Sequence, residues 1–154
     1  MLRQHHHTRK FLGFTFSDRV QVKRRIAPKA LARFKDRIRE LTQRTRGVSV
    51  AQLIGPLKRY LTGWRGCFGF CETPGVLRRL DEWIRRRIRC FFWKQWKRGR
   101  TRFQELIARG VSGNLAAQTA GSPHSAWRLS CSPALNIALS NRYFRSLGLP
   151  SLSS

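Results

Sequence analysis

From Pro28 onward, large apolar residues recur every three or four positions, the repeat that lines one face of a helix. Leu31, Phe34, Ile38 and Leu41 form the first stripe. It follows a proline whose missing N–H costs nothing at a first helical position. Val50, Leu53, Ile54, Leu57, Leu61 and Trp64 form a second stripe, interrupted by Gly55-Pro56, which predicts a kink or a late helix start. Gly63 to Phe70 interleaves glycines with large aromatics and reads as a turn, with close backbone approach at the glycines and the rings as anchors. Thr73 and Pro74 suit the cap and first residue of a long helix reaching Arg98. Its buried stripe is Leu77, Leu80, Ile84, Ile88 and Phe91, broadened by Trp83, Phe92, Trp93 and Trp96. A short helix over Thr101–Arg109 would turn Phe103, Leu106 and Ile107 inward, with Gly110 as its C-cap.

The pattern changes at both ends. Phe11 to Phe16 is short and aromatic, and Arg19 to Arg25 alternates Val20 and Val22 with polar neighbours. Together they predict a two-stranded hairpin turning at Ser17-Asp18. A lone hairpin is marginal in water, so it needs a helix or another sheet to pack on. After Gly110, residues 112–130 are rich in Gly, Ser, Ala and Thr and read as a loop with room for one helical turn. Short helices are expected from Pro133 to Ala138, behind Ser132, and from Asn141 to Leu147, stopped by Gly148 and Pro150.

Charge then changes the picture. The 154 residues hold 32 Lys+Arg against 7 Asp+Glu, a formal net charge of +25. So one-sided an excess favours a polyanionic partner, because each neutralised phosphate releases a condensed counterion. Arginine greatly outnumbers lysine, and its planar fork grips phosphate and stacks on bases. A disordered basic tail is a poor fit, since 41% of the residues are hydrophobic and 11% aromatic. Neither an apolar leader nor a membrane-length apolar run is visible, so a cytoplasmic location is expected and a membrane partner is not. Cys67, Cys71, Cys90 and Cys131 lack zinc-ligand spacing, and His5-His6-His7 lies far from them in sequence. Buried thiols, no metal and no cofactor are therefore the expectation.

An ordered series of motifs resembles the C-terminal part of group II intron reverse transcriptases. Phe11-Leu12-Gly13-Phe14 and the hairpin resemble the last palm block. PKALARFKDRIRELT from Pro28, then Gly63-Trp64, LDEWIR from Leu80 and FWKQWK from Phe92, resemble the thumb, or maturase domain X. SPALN, NRYF and GLPSL between Ser132 and Leu152 resemble the end of bacterial members without an endonuclease. The resemblance implies a mainly α fold: a thumb-like helical bundle, a small N-terminal β-hairpin and a short helical C-terminal tail. It divides the chain into a palm remnant at 1–25, a thumb or domain X at 26–110 and a tail at 111–154.

The resemblance implies a maturase that binds structured group II intron RNA and stabilises its splicing-competent form. The alternative is a thumb, in a truncated or split polymerase, that grips an RNA/DNA template–primer duplex beside a separate palm polypeptide. The family's polymerase palm carries adjacent aspartates for two metals, whereas no two aspartates are adjacent here. The chain is therefore expected not to be an enzyme on its own. The expected nucleic-acid contacts are Lys23, Arg24, Arg25, Lys29, Arg33 and Arg37, then Lys58, Arg59 and Arg65. Arg78, Arg79, Arg85, Arg86, Arg89, Lys94 and Lys97 extend them along the long helix. For any single cation, a solvated or internally paired side chain competes with this role. For the set it does not, because 7 acids cannot pair 32 bases. Trp93 and Trp96, set among lysines, are candidates for stacking on unpaired bases, with core packing as the alternative. For Trp64 and Trp83, core packing is the favoured use.

Overall fold

A computed structural model describes residues 10–11, 14–16, 24–43, 47–69 and 74–153. It is mainly α, as the stripes predict. β1 (Lys10–Phe11), β2 (Phe14–Phe16) and β3 (Arg24–Ile26) form an antiparallel sheet in that order. Phe16 pairs with Arg24 and Phe14 with Ile26. This register differs from a two-residue turn at Ser17-Asp18, which would set Phe16 against Arg19; Ser17 and Asp18 themselves lie outside the described residues. The aromatic run is also two strands rather than one, because Phe11 pairs with Phe14.

Ala27 links β3 to α1 (Pro28–Leu41). Ala30, Phe34, Ile38 and Leu41 of α1 are buried. α2 (Val50–Phe68) begins at a capping box: Gln52 N–H donates to Ser49 Oγ, and Ser49 N–H donates to Gln52 Oε1. That start outweighs Pro56, and the helix runs through the proline. It also runs through the glycine–aromatic segment expected as a turn. A Cβ at Gly63 or Gly66 would meet nothing within 4 Å, so neither glycine serves a close approach there. Trp64 instead packs on Phe34, with centroids 4.2 Å apart, and on Phe68.

α3 (Pro74–Gln95) is the central element, about 33 Å long at 1.5 Å per residue. Leu77, Leu80, Ile84, Ile88 and Phe91 are all buried, and Phe92, Trp93 and Trp96 join them. α3 ends three residues before Arg98. There Arg102 of α4 (Gly99–Ala108) donates from Nε to Trp96 O at 2.7 Å, and from Nη2 to Trp93 O. Its guanidinium lies 4.5 Å from the Trp93 ring centroid. A cation thus satisfies carbonyls that a helix end leaves open. In α4 only Leu106 points fully inward, while Phe103 and Ile107 are exposed, against expectation. Gly110 takes φ +91°, and Val111 N–H donates back to Leu106 O, closing the helix as a Schellman motif.

The segment expected as loop holds α5 (Gly113–Ala120) and α6 (Ala126–Leu129). The Ala-rich composition hid short helices that bury Ala116, Thr119, Ala126 and Leu129. α7 (Pro133–Ala138) and α8 (Asn141–Ser146) follow, capped by Ser132 and Ser140. One apolar cluster runs from Ile26 to Leu152, so the last helices share the core of α1–α4.

The tail is fastened by Asp81, a buried carboxylate on α3. It accepts from Leu152 N–H at 2.8 Å, Ser151 Oγ at 2.9 Å and Ser153 N–H at 3.1 Å. Leu149 and Leu152 are buried beside it. Gly148, at φ +86°, turns the chain toward this clasp.

Candidate nucleic-acid interface

α1 presents Lys29, Arg33 and Arg37 at steps of four, so they share one exposed face. Arg37 is drawn to Glu40 at 2.8 Å, and Arg39 to Asp36 at 3.0 Å, in exposed pairs that contribute little. Lys58 and Arg59 are exposed on α2, and Arg65 is half-buried near its end. Arg25 is exposed beside a hollow of about 320 Å³ that it shares with Arg79. Arg78 and Arg79 are exposed on α3, and Lys94 and Lys97 at its far end. Lys23 and the side chain of Arg24 lie outside the described residues.

The structure brings four of the expected cations together. Arg79, Arg85, Arg86 and Arg89 line a cleft of about 800 Å³ between α3 and the α7–α8 segment. Opposite them stands Arg142, which the sequence reading passed over. The only signal for it was a basic pair, Arg142 and Arg145, on a helix that the sequence predicts but whose partner it does not name. Glu82 is the one acid in the lining.

Two of these arginines are partly engaged inside the protein. Arg89 is buried, donating from Nε to Leu139 O at 3.0 Å and from Nη2 to Asn141 Oδ1 at 3.2 Å. Burial first, and then the neighbouring Arg85 charge, lower its pKa below the ordinary arginine value. Arg86 donates to Trp127 O and Ser130 Oγ and stacks 3.8 Å from the Trp127 ring centroid. Arg87 serves the fold as well, donating to Thr42 Oγ1 at 2.8 Å.

The tryptophan expectation is corrected. Trp93 is 1% exposed and Trp96 7%, so neither offers a face to a base. Their lysine neighbours occupy other faces of the helix, and the rings close the core against α4 and Arg102. Trp64 is buried and Trp83 half-buried, with Arg39 and Arg87 each 5.5 Å from the Trp83 centroid.

The thiols also depart from expectation. Cys90 is buried, but Cys67 and Cys131 are exposed, Cys131 in the cleft lining; Cys71 lies outside the described residues. Among the described residues there is no group of three or more His, Cys, Asp or Glu that could hold a metal ion. Asp36 sits on the surface of α1 and Asp81 holds the tail, so those two carboxylates have separate structural engagements. No described helix is long and apolar enough to cross a membrane.

The geometry defines a strongly basic helical bundle built around one long arginine-bearing helix. The sequence family described as group II intron, maturase-specific domain, matches residues 31–109, just over half of the chain. The protein belongs to that family. The match begins within the first turn of α1, takes in α2 to α4 and stops before the tail helices. No curated protein matches the chain.

Proposed function

We propose that this protein binds folded group II intron RNA and stabilises its splicing-competent form. The observation that carries this reading is the exposed cationic surface of α1–α3 within a maturase-specific domain. Folded RNA crowds phosphates together, and a rigid surface of guanidiniums lowers that repulsion more in the compact state than in the open one. RNA helices are recognised chiefly through shape, phosphates and 2′-hydroxyls, which suits an exposed helical face bearing many cations. The chain needs no cofactor for this role and acts as a binding protein rather than a polymerase.

The test is a salt titration of binding to a folded group II intron RNA, beside duplex DNA and an unstructured RNA of equal length. Tighter binding to the intron RNA at physiological salt is the expected result. Equal affinities and equal slopes for all three ligands would reduce the protein to a nonspecific polycation.

A second reading is favoured by the β2–β3 pair, which leads through Ala27 alone into α1. In it the bundle is the thumb of an RNA-directed DNA polymerase whose palm is a separate polypeptide. Primer extension that appears only when such a polypeptide co-purifies would support this reading over the first.

A further inference from the structure

The cleft between α3 and α7–α8 has features that general basic-surface binding does not require. Its arginines are of two kinds. Arg86 and Arg89 are held by carbonyl, hydroxyl and amide oxygens through Nε and Nη2, and for each the Nη1 edge makes no hydrogen bond among the described residues. Arg85 and Arg142 have no hydrogen bond or ion pair among the described residues, although both line the same space. Fixed guanidinium forks beside unpaired ones make a preorganised phosphate site, since less side-chain freedom is lost on binding.

The remaining lining suits the other parts of a nucleotide. Asn141 gives its carbonyl oxygen to Arg89, so its amide N–H groups are left to donate. Trp83 adds an aromatic surface that is half-buried rather than sealed. A volume of about 800 Å³ is that of a small-molecule site and is too small to enclose a duplex. An adjoining hollow of about 300 Å³ shares Arg85 and Asn141 and adds Arg145, which extends the basic path along α8.

We infer that this cleft takes an unpaired nucleic-acid segment, with its phosphodiester backbone on Arg85, Arg86, Arg89 and Arg142 and a base directed toward Trp83 and Asn141. The inference rests on the RNA-binding reading and refines it. One wall of the site comes from residues beyond the matched 31–109 region, so the tail helices are part of the binding machinery as well as of the core.

Cys131 provides a reporter in the full-length protein, because it is an exposed thiol in the cleft, whereas Cys67 is an exposed thiol on α2. The probes are a single-stranded RNA of about five nucleotides, the DNA of the same sequence and a duplex of equal length, the length being a short single-strand site. Maleimide labelling is read peptide by peptide. The single strands are expected to slow labelling of Cys131 at least about fivefold and leave Cys67 unchanged, with the duplex much less effective at equal concentration. Protection by RNA and DNA alike would support recognition of the shared backbone; protection by RNA alone would support a 2′-hydroxyl contact as well.

Arg85→Gln and Arg142→Gln should each weaken single-strand binding about tenfold and reduce its salt slope by about 0.7, the effect of one lost phosphate contact on a single strand. Arg100→Gln, on the first turn of α4 and away from the lining, should leave both unchanged. Unprotected Cys131 at saturating single strand, protection equal with the duplex, or cleft variants that behave like Arg100→Gln would overturn the inference. Intron RNA binding is measured in parallel. If its preference holds while the cleft variants have no effect, the cleft fails and the maturase reading stands. If the preference is lost while Cys131 is still protected, the maturase reading fails and the cleft stands.

Discussion

Replacing Asp81 by alanine should release the tail while leaving the bundle folded. The carboxylate is 5% exposed and accepts three hydrogen bonds, from Leu152 N–H, Ser151 Oγ and Ser153 N–H. Hydrogen bonds to a charged group contribute about 1.5–3 kcal/mol each, which would sum to well above 4 kcal/mol. The loss has a ceiling, however. Once the segment detaches, its N–H groups regain water, and the remaining cost is exposure of Leu149 and Leu152 at roughly 1.5–3 kcal/mol each. A local destabilisation of about 3 kcal/mol follows, equivalent to about a 100-fold rise in the opening constant. Amide hydrogen exchange reads this directly. Leu152 and Ser153 should lose protection in Asp81→Ala, while Ile38 and Ile88, buried in α1 and α3, keep theirs. Asp36→Ala makes the same charge change on an exposed surface pair and should leave all four amides unaffected. Leu152 protection within about threefold of the parent protein in Asp81→Ala would refute the clasp.

Three further outcomes follow from the packing. Trp93→Ala should cost about 3–5 kcal/mol because the ring is 1% exposed, whereas Trp127→Ala, at 38% exposed, should lose about 1 kcal/mol with its Arg86 stack; urea unfolding separates the two. Gly148→Ala forces φ +86° on a residue with a Cβ, and that Cβ would lie 2.9 Å from Lys58 Nζ. The lysine end can move aside but the backbone strain stays, so a loss of about 1–2 kcal/mol should appear as a lower urea midpoint at unchanged m. Tyr60 has its pKa raised, by burial first, with Arg37 opposing and Glu40 reinforcing the shift. A raised folded-state value means its contribution is fully present below about pH 10 and is lost as pH rises through the folded-state pKa. Tyr60→Phe should therefore flatten the alkaline limb of the stability curve, followed by unfolding at a series of pH values.

The helical core was readable wherever a stripe was long. Leu77, Leu80, Ile84, Ile88 and Phe91 were placed by spacing alone because one periodic signal persists through the whole of α3. Local signals misled where a stronger one competed. Gly55-Pro56 allowed a late helix start and the glycines after Leu61 a turn, but a capped start at Ser49 and a buried face through Trp64 carried α2 across them. Phe103 and Ile107 fit the helical period of α4, yet only Leu106 is fully buried. Single-strand charge patterns also cannot say which arginines turn inward. Arg86, Arg87 and Arg89 look like Arg78 and Arg85 in sequence, but each bonds to an element more than 40 residues away. The far wall of the cleft was invisible for the same reason, because α8 meets α3 only through the fold.

The crowding of Arg85 against Arg89 has a consequence for handling the molecule. Mobile ions that shield like charges on the bare bundle also compete with any phosphate for them. Dilution of salt should therefore strain the free protein while tightening its complex, and added salt should do the reverse. On the proposed RNA-binding reading, the free fold and the complex thus prefer opposite ends of the ionic-strength scale. A polyanion seated on α3 would take over the neutralising work of the buffer, and the thermal midpoint of the complex should depend on salt with the opposite sign to that of the protein alone.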